Sequence, residues 1–314
     1  MMSESIVDVE NLRKWYDEIE AVRGITFQIF RGDFFGLLGP NGAGKTTTIG
    51  MLTGLVRPTE GRISLGGIDL FSRPMEAKSK LGLVPQSFAL YPTLCARDNL
   101  IFFGRIYGLK GRRLKERIVR VLEIAGLKNR ADQTVATFSN GMKRRLNIAV
   151  GLLHEPQILI LDEPTVGIDT QSRNAIFESL ESLNMSGITI LYTTHYIEEA
   201  QRLCNRVAIM DEGKMIALDT PSSLIHNLGK GIIRLEFNVS ADDTLLNQME
   251  RFGSVRVIDG QKRRVHLETD RAEQVLRELL DLVEDRAGLL KTLDILEPNL
   301  ETVFIHLTGR NLRD

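Results

Sequence analysis

The chain is poor in cysteine, with only Cys95 and Cys204 among its 314 residues. These two residues lie far apart in the sequence and form none of the closely spaced pairs that bind zinc or belong to redox motifs. Two isolated cysteines also cannot provide the disulfide framework of a small secreted domain. We therefore expect a reduced, cytoplasmic protein.

The sequence also lacks long apolar runs and an excess of either charge. Its longest apolar stretches, such as "IAVGLL" at residues 148–153, have about a third of the roughly 18 residues that a membrane helix needs. The first residues, "MMSESIVDVE", show neither the basic nor the apolar region of a signal peptide. Lys+Arg 40 against Asp+Glu 41 gives no basic excess of the kind found in nucleic-acid-binding proteins. We expect a soluble chain without a nucleic-acid partner, for which any role at a membrane depends on a partner protein.

What the sequence does contain is an alternation of apolar runs and helical patterns. The runs predict buried strands at residues 34–38, 81–85, 158–161, 188–192 and 206–210. Because helical patterns separate most of them, the fold class is α/β, with a largely parallel sheet covered by helices. Between about residues 96 and 153 the pattern is purely helical, which predicts a helical subdomain inserted into the α/β core.

After residue 229 the pattern changes to strand, helix, strand, strand, helix, strand, followed by a last helix near residues 300–307. This order is typical of a ferredoxin-like unit. We therefore predict two domains, one of residues 1–228 and a small C-terminal α+β domain of residues 229–314.

The stretch "GPNGAGKTT" matches the P-loop pattern G-x-x-x-x-G-K-[ST] and lies between a predicted strand and a predicted helix. Its glycines allow backbone N–H groups to wrap phosphates, Lys45 reaches the β- and γ-phosphate oxygens, and the Thr46 hydroxyl suits Mg²⁺. An ordinary glycine-rich turn is the structural alternative, but the flanking strand and helix favour the P-loop. The predicted nucleotide contacts are Gly39, Pro40, Asn41, Gly42, Ala43, Gly44, Lys45, Thr46 and Thr47.

The stretch "ILILDEPT" predicts the second half of a nucleotide site. Its apolar residues form a buried strand and place Asp162 and Glu163 at the carboxyl end, where open α/β sheets bind ligands. Asp162 suits the coordination shell of Mg²⁺. Glu163 suits the orientation or deprotonation of an attacking water. The structural alternative is a solvated acidic pair, which the P-loop makes the weaker interpretation.

The stretch "FSNGMKRRLNIAV" combines features that disfavour a helix start. Ser139 is typical of a helix N-cap, but Gly141 in the first turn costs about 1 kcal/mol relative to alanine. Lys143, Arg144 and Arg145 then crowd cations near the positive end of the helix dipole. An anion at this helix end would explain the glycine, while the cations themselves are not assigned to it.

These motifs occur in an order that resembles the ATP-binding subunits of ABC transporters. A P-loop, a glutamine after a strand, "SNGMK", "LDEPT" and a histidine after "ITILYTT" follow one another, and the resemblance covers about residues 6–219. It implies a P-loop NTPase cassette with a mostly parallel core sheet, an N-terminal antiparallel β part and the helical subdomain. The implied ligands are ATP and Mg²⁺, and the implied activity is ATP hydrolysis.

The resemblance also implies a reason for the glycine in the first turn of this helix. "SNGMK" is similar to the ABC signature motif, whose helix end faces the γ-phosphate of an ATP held by the P-loop of a second subunit. Ser139, Asn140 and Gly141 would then contact this nucleotide, and the backbone at Gly141 would approach the phosphate. Asn140 departs from the usual glycine and Met142 from the usual glutamine. The Asn140 replacement puts the rate of hydrolysis in question, not the class of nucleotide.

Four further roles follow only from the resemblance. His195 is similar to the switch histidine that contacts the γ-phosphate, and Gln86 to the glutamine that senses Mg²⁺ and links the site to the helical block. Tyr16 resembles the aromatic residue that stacks on adenine, with Trp15 as the alternative. Asp169 resembles the loop residue that crosses the dimer.

The function implied is that of an ATP-hydrolysing subunit that dimerises around two ATP molecules and drives separate integral-membrane permease subunits. "MKRR" and the tail "LEPNLETVFIHLTGRNLRD" resemble the drug-resistance and nodulation-factor exporters with ABC-2-type membrane subunits. Export and a peripheral location on the inner face of the cell membrane are therefore expected. The alternatives are a soluble ABC-type ATPase acting on ribosomes or DNA, and a regulatory module that does not hydrolyse ATP. The single cassette and balanced charge disfavour the first, and Glu163 together with His195 disfavours the second.

Overall fold

A computed structural model describes residues 4–228, 231–269, 272–284, 290–296 and 299–309 of the chain. It divides into two compact units, Met1–Leu218 and Asp219–Asp314. The predicted boundary at Gly229 falls on a residue outside the described ones. The helix Pro221–Leu228, which the sequence analysis placed in the first domain, belongs to the second unit. The division into domains of residues 1–228 and 229–314 stays a prediction about independent folding.

The first unit contains two sheets. One is antiparallel, with β1 (Ser5–Tyr16), β2 (Ile19–Phe30), β4 (Glu60–Leu65) and β5 (Ile68–Asp69) in the order β2-β1-β4-β5. The other has β3 (Phe34–Leu38), β6 (Leu81–Val84), β7 (Ile158–Asp162), β8 (Thr189–Thr194), β9 (Arg206–Asp211) and β10 (Lys214–Asp219) in the order β10-β9-β3-β8-β7-β6. The predicted buried strands and the antiparallel N-terminal part are thus confirmed.

Strands β3 and β7 are buried along their whole length, as expected for strands of a parallel sheet whose two faces are both covered. The pairings β3–β8, β3–β9, β6–β7 and β7–β8 are all parallel. At their carboxyl ends Leu38 pairs with Thr194, and Asp162 pairs with Thr193. This register brings the loops that follow β3, β7 and β8 to one edge of the sheet, where open α/β sheets bind ligands.

In the described part of the first unit, seven helices accompany these sheets. They are α1 (Lys45–Leu52), α2 (Pro74–Lys78), α3 (Ala96–Ile106), α4 (Gly111–Ile124), α5 (Asn140–Leu152), α6 (Thr170–Met185) and α7 (Ile197–Leu203), with short 3-10 turns at Lys128–Arg130 and Val135–Thr137. Within the helical block, α4 buries Leu114, Ile118, Val121 and Leu122, a spacing that gives one apolar stripe on a helix. No helix in the described part of the chain combines the length and apolarity needed to cross a bilayer.

The second unit has the predicted ferredoxin-like order. After α8 (Pro221–Leu228) come β11 (Gly231–Phe237), α9 (Asp243–Met249), β12 (Ser254–Val257), β13 (Arg264–Thr269), α10 (Ala272–Glu284), β14 (Leu290–Leu296) and α11 (Leu300–Thr308). The antiparallel sheet has the order β12-β13-β11-β14. Its core includes Ile233, Leu235, Phe237, Val265 and Leu267, which alternate along β11 and β13 and so share one face of the sheet.

Candidate functional site

The P-loop forms the turn between β3 and the start of α1. Gly44, the N-cap of α1, has φ 98°, a left-handed conformation that a residue with a Cβ adopts only at a cost. A Cβ on Gly39 would lie 2.4 Å from the Met210 carbonyl oxygen, so the backbone of β9 leaves no room for a side chain there. The predicted contacts Gly39, Pro40, Asn41, Gly42, Ala43, Gly44, Lys45, Thr46 and Thr47 all lie in this turn and the first turn of α1.

Lys45 is buried, with 5% of its surface exposed. Its Nζ donates to the carbonyl oxygens of Gly39 at 2.7 Å and Pro40 at 3.1 Å, and lies 3.3 Å from Glu163 Oε1. Burial lowers the pKa of the Lys45 ammonium, an effect that Glu163 and Asp162 oppose. The ammonium thus bonds to the loop that would surround an anion, and a phosphate would supply a further partner for its charge.

The carboxyl end of β7 holds two buried acids, Asp162 and Glu163. Thr193 on the neighbouring strand β8 fixes both, because its Oγ1 donates to Asp162 Oδ1 at 2.7 Å and accepts from the Glu163 backbone N–H at 2.9 Å. Burial, reinforced by the charge of Glu163, raises the pKa of Asp162. Thr193 was not among the predicted site residues, although it pairs with Asp162 in the strand register.

Three of the predicted site residues lie next to the Glu163 carboxylate. Its Oε1 lies 3.3 Å from Lys45 Nζ and 3.2 Å from His195 Nδ1, and its Oε2 lies 3.4 Å from Gln86 Nε2. The Glu163 backbone has φ 43°, a left-handed conformation that costs a residue other than glycine about 1 kcal/mol or more. Such strain clusters at functional sites, and here it lies at the residue whose carboxylate contacts Lys45 and His195.

The three residues predicted to bind Mg²⁺, Thr46, Gln86 and Asp162, line one cavity of about 430 Å³. They offer a hydroxyl, an amide and a carboxylate oxygen, and oxygen donors are what Mg²⁺ prefers. Within the described residues no group of three or more His, Cys, Asp or Glu side chains could hold a metal ion. The chemistry of these three donors fits a Mg²⁺ ion.

The predicted signature residues lie at the start of α5, apart from the Glu163 cluster in sequence. Ser139 is the predicted N-cap and its Oγ accepts from the Met142 N–H at 3.2 Å, while Ser139 and Asn140 are both exposed. Gly141 is buried against α6, since a Cβ there would lie 2.3 Å from Ser172 Oγ. The glycine therefore has a packing reason within the chain, in addition to the predicted approach of a phosphate.

Asp169 lies at the start of α6, and Tyr16 lies at the end of β1. Asp169 caps α6 by accepting from the Ser172 N–H at 2.9 Å, which lowers the pKa of its carboxyl, so Asp169 positions the residue that abuts Gly141. Tyr16 is exposed at the end of β1, with Lys14 Nζ 5.0 Å above its ring. The next strand carries Ala21, whose carbonyl oxygen would lie 2.7 Å from a Cβ on Gly44. This close approach brings the β1–β2 hairpin against the P-loop.

Comparisons with known proteins now decide the family. Residues 22–166 match the family model described as ABC transporter. The linearmycin resistance ATP-binding protein of Bacillus subtilis is 44% identical over 98% of this chain and 100% of its own length. The chain belongs to the ABC transporter ATP-binding proteins. A Nod factor export ATP-binding protein of Burkholderia thailandensis is 40% identical, with 100% of both chains covered.

Solved structures of the family support the fold. One described as the ATP-binding subunit of an ABC transporter is 31% identical, with a TM-score of 0.65 over 72% of this chain and 94% of its own. A dimeric ATP-binding cassette in a post-hydrolysis state with ADP and Pi is 27% identical, with a TM-score of 0.61 over 68% of this chain and 98% of its own. The chain is thus an ATPase subunit of the ABC type, and the predicted family and P-loop NTPase fold are confirmed.

The cassette also contains a buried carboxylate that sequence analysis missed. Glu199 of α7 accepts from the hydroxyls of Thr165, Tyr192 and Thr194 at 2.8, 2.8 and 2.9 Å. Thr165 follows Glu163 by two residues, and Thr194 immediately precedes His195. Glu199 therefore connects the loop that carries Glu163 to the loop that carries His195. The helical spacing of Glu199, Ala200 and Leu203, all buried, is the signal that places this acid on the inner face of α7.

Proposed function

We propose that the chain is the ATP-hydrolysing subunit of an ABC exporter, in which two copies enclose two ATP molecules and drive transport through separate membrane subunits. The observation that carries this proposal is the position of Glu163, within 3.4 Å of Lys45, His195 and Gln86. One carboxylate thereby meets the P-loop lysine and the residues after β6 and β8, as a group that activates water beside a phosphate must.

Each residue of this cluster has a chemical role in the proposal. Lys45 and the P-loop N–H groups bind the β- and γ-phosphates, and Thr46, Asp162 and Gln86 hold Mg²⁺, which neutralises phosphate charge when bound. Glu163 accepts a proton from the attacking water, and His195 donates a hydrogen bond to the γ-phosphate.

In this proposal each of the two ATP sites is composite, which means that it contains residues of both copies. Ser139 and Asn140 are exposed at a helix N-terminus, where N–H groups and the helix dipole favour an anion. Two copies related by a two-fold axis would each present this end to the P-loop of the other. The dimeric form of a related cassette, solved with ADP and Pi, supports this arrangement. Tyr16 would stack on adenine, and Asp169 would lie at the dimer contact.

An aromatic surface next to Gln86 suits a membrane subunit. Tyr91 and Phe102 pack edge to face with ring centroids 4.7 Å apart, and both are exposed. Ile106, one turn further along α3, extends this exposed surface, and Phe88, two residues after Gln86, is exposed as well. Contiguous exposed apolar side chains mark interaction sites. In this proposal, permease movement at this surface acts on the Mg²⁺ site through Gln86, and the subunit binds the permease from the inner face of the membrane.

Export and transport rest on the relatives, whose names refer to resistance and to Nod factor export. The balanced charge of the chain, 40 basic against 41 acidic residues, and these relatives favour transport over an ATPase that acts on ribosomes or DNA.

Replacing Glu163 with glutamine tests the catalytic assignment. Glu163→Gln keeps the shape of the side chain but removes the base, so turnover should fall by roughly 10²-fold or more. ATP should still bind, and the variant should accumulate as an ATP-dependent dimer on a sizing column. The double variant Glu163→Gln/Lys45→Ala should stay monomeric with ATP. ATPase activity near that of the unmodified chain would remove Glu163 from the catalytic role.

The membrane partner is tested by co-purification in detergent. Phe102→Asp should abolish recovery of a membrane subunit, whereas Met185→Asp, a matched change at an exposed position on α6, should not. Equal recovery with both variants would place the docking surface elsewhere, and recovery of ribosomes or DNA in place of a membrane protein would favour the soluble alternative.

A further inference from the structure

The helix that begins at the signature motif contains a buried arginine. Among the consecutive cations Lys143, Arg144 and Arg145, only Arg144 is buried, with 1% of its surface exposed. Burial lowers the pKa of its guanidinium to about 10, although the neighbouring Tyr192 and Asp162 oppose this shift. A buried cation is costly unless hydrogen bonds compensate for its lost hydration, so the contacts of Arg144 explain its presence.

Arg144 bonds to the backbone of the loop after β6. Its Nη1 donates to the Pro85 carbonyl and its Nη2 to the Gln86 carbonyl, both at 2.6 Å. Asn147, one helical turn later, donates to the Ser87 carbonyl at 3.4 Å. Residues three apart on a helix share a face, so one face of α5 holds three consecutive carbonyls. The Phe88 ring, 5.0 Å from Arg144 Cζ, extends the contact by one residue.

This contact holds the loop that carries Gln86, and the side chain of Gln86 reaches the Glu163 carboxylate at the centre of the site. Gln86 is exposed and lies beyond the end of β6, so the sheet does not hold it. Its side chain donates to Glu163 Oε2 at 3.4 Å and lines the cavity shared with Thr46 and Asp162. The planar guanidinium fork bonds two adjacent carbonyls with a fixed geometry that a lysine cannot provide.

We propose that Arg144 is a positioning residue for ATP hydrolysis in its own chain. Its hydrogen bonds to the Pro85 and Gln86 carbonyls set the position of the Gln86 side chain beside the proposed Mg²⁺ and the attacking water. The proposal rests on the roles given above to Gln86 and Glu163. The same contact joins the helix that faces the partner's nucleotide to the loop that lines the chain's own nucleotide.

Arg145 provides a matched control. It is the next residue of the same helix, and its Nη1 donates to the Ala125 carbonyl at 2.9 Å, away from Gln86. Arg144→Met should lower kcat by about 10- to 100-fold, the scale of a misplaced reacting group. It should also raise the Mg²⁺ concentration for half-maximal ATPase activity, while ATP affinity without Mg²⁺ stays within about two-fold. Arg145→Met, which removes the same charge, should leave both kcat and the Mg²⁺ requirement within about two-fold.

Arg144→Lys keeps the charge but can bond only one carbonyl well, so its kcat should lie between those of the unmodified chain and Arg144→Met. Thermal unfolding of each variant separates loss of fold from loss of position. A folded Arg144→Met with an unchanged Mg²⁺ requirement would overturn the proposal. So would an equal loss of kcat in Arg145→Met.

Heterodimers purified through two different tags test which site Arg144 serves. Paired with a Lys45→Ala chain, an Arg144→Met chain contributes the P-loop and Gln86 of the one site that can work. Paired with a Ser139→Asp chain, it contributes only the signature end to the site that can work. The second heterodimer should therefore be about 10- to 100-fold more active than the first. Equal activities, or the reverse order, would overturn the proposal.

The parent pair, Lys45→Ala with Ser139→Asp and no change at Arg144, separates the two proposals. If the parent pair is inactive, the composite sites of the proposed function are wrong. The comparison of Arg144→Met with Arg145→Met in ordinary preparations then still decides the role of Arg144.

Discussion

Gly141→Ala separates the two reasons for a glycine at the start of α5. In this structure the new Cβ would lie 2.3 Å from Ser172 Oγ and 2.4 Å from Ser172 Cβ. Overpacking of this kind costs about 1–3 kcal/mol, whereas alanine favours a helix over glycine by about 1 kcal/mol. We therefore expect a net loss of roughly 1 kcal/mol, seen as a melting temperature lower by about 2–4 °C.

Ser172→Gly should relieve the overlap, since the nearest remaining atom, Ser172 Cα, lies 3.7 Å from the added Cβ. The double variant Gly141→Ala/Ser172→Gly should recover stability relative to Ser172→Gly alone. If a phosphate bound by the partner also approaches the backbone at Gly141, the ATPase activity of this double variant should stay low. Thermal unfolding and steady-state ATPase assays on the same preparations measure both effects. Recovery of activity together with stability would refute the phosphate role and leave packing as the full reason.

Three further predictions follow from the charges and the domain division. Lys45→Ala should weaken ATP binding measured by calorimetry, because a buried ammonium beside the phosphates is lost; unchanged affinity would contradict the P-loop assignment. A chain ending at Leu228 should stay folded and bind ATP, and an insoluble or non-binding product would show that the C-terminal part belongs to the cassette core. In the second unit, burial and the nearby Arg234 lower the pKa of His266 to about 4. The unfolded chain therefore binds a proton first as pH falls from 6.5, and this unit should lose about 1–2 kcal/mol by pH 4 after allowance for solvent screening. Hydrogen exchange of β11 and β13 measures that loss, which His266→Gln should abolish.

The parts of the fold that the sequence predicted are those whose pattern is local. Strands β3 and β7 are continuous apolar runs because both faces of the parallel sheet are covered. Strand β1 was not predicted from its own residues. Its alternation is broken by register shifts between Val9 and Leu12, where Asn11 has φ 44°. A bulge of this kind moves later side chains to the other face of the sheet, so a two-residue period does not describe the whole strand.

The residues of the site likewise fall into those that local sequence predicts and those that it does not. Lys45, Asp162 and Glu163 belong to contiguous motifs whose chemistry can be predicted from residue type and spacing. Arg144 and Glu199 could not be assigned, because their partners lie far away in sequence or on another loop. The Arg144 donors reach residues 58 and 59 positions earlier, and nothing in "MKRR" indicates which of its cations is buried. Contacts of this kind depend on how the helical block packs on the sheet.

The most direct test of the account is whether two inactive chains form one working site. Lys45→Ala disables the P-loop, and Ser139→Asp keeps an N-cap residue but places a carboxylate where the partner's phosphate should lie. Ser139→Asn, which is as good a cap and uncharged, is the matched control and should lose less activity than Ser139→Asp. A heterodimer of Lys45→Ala and Ser139→Asp, purified through two tags, has both lesions in one composite site and none in the other. We predict ATPase activity of about half that of the unmodified dimer if the sites act independently. The same pair with Glu163→Gln added to both chains, run on a sizing column with ATP, measures whether the heterodimer partners associate. Given that association, a heterodimer as inactive as its two parents would contradict the composite sites.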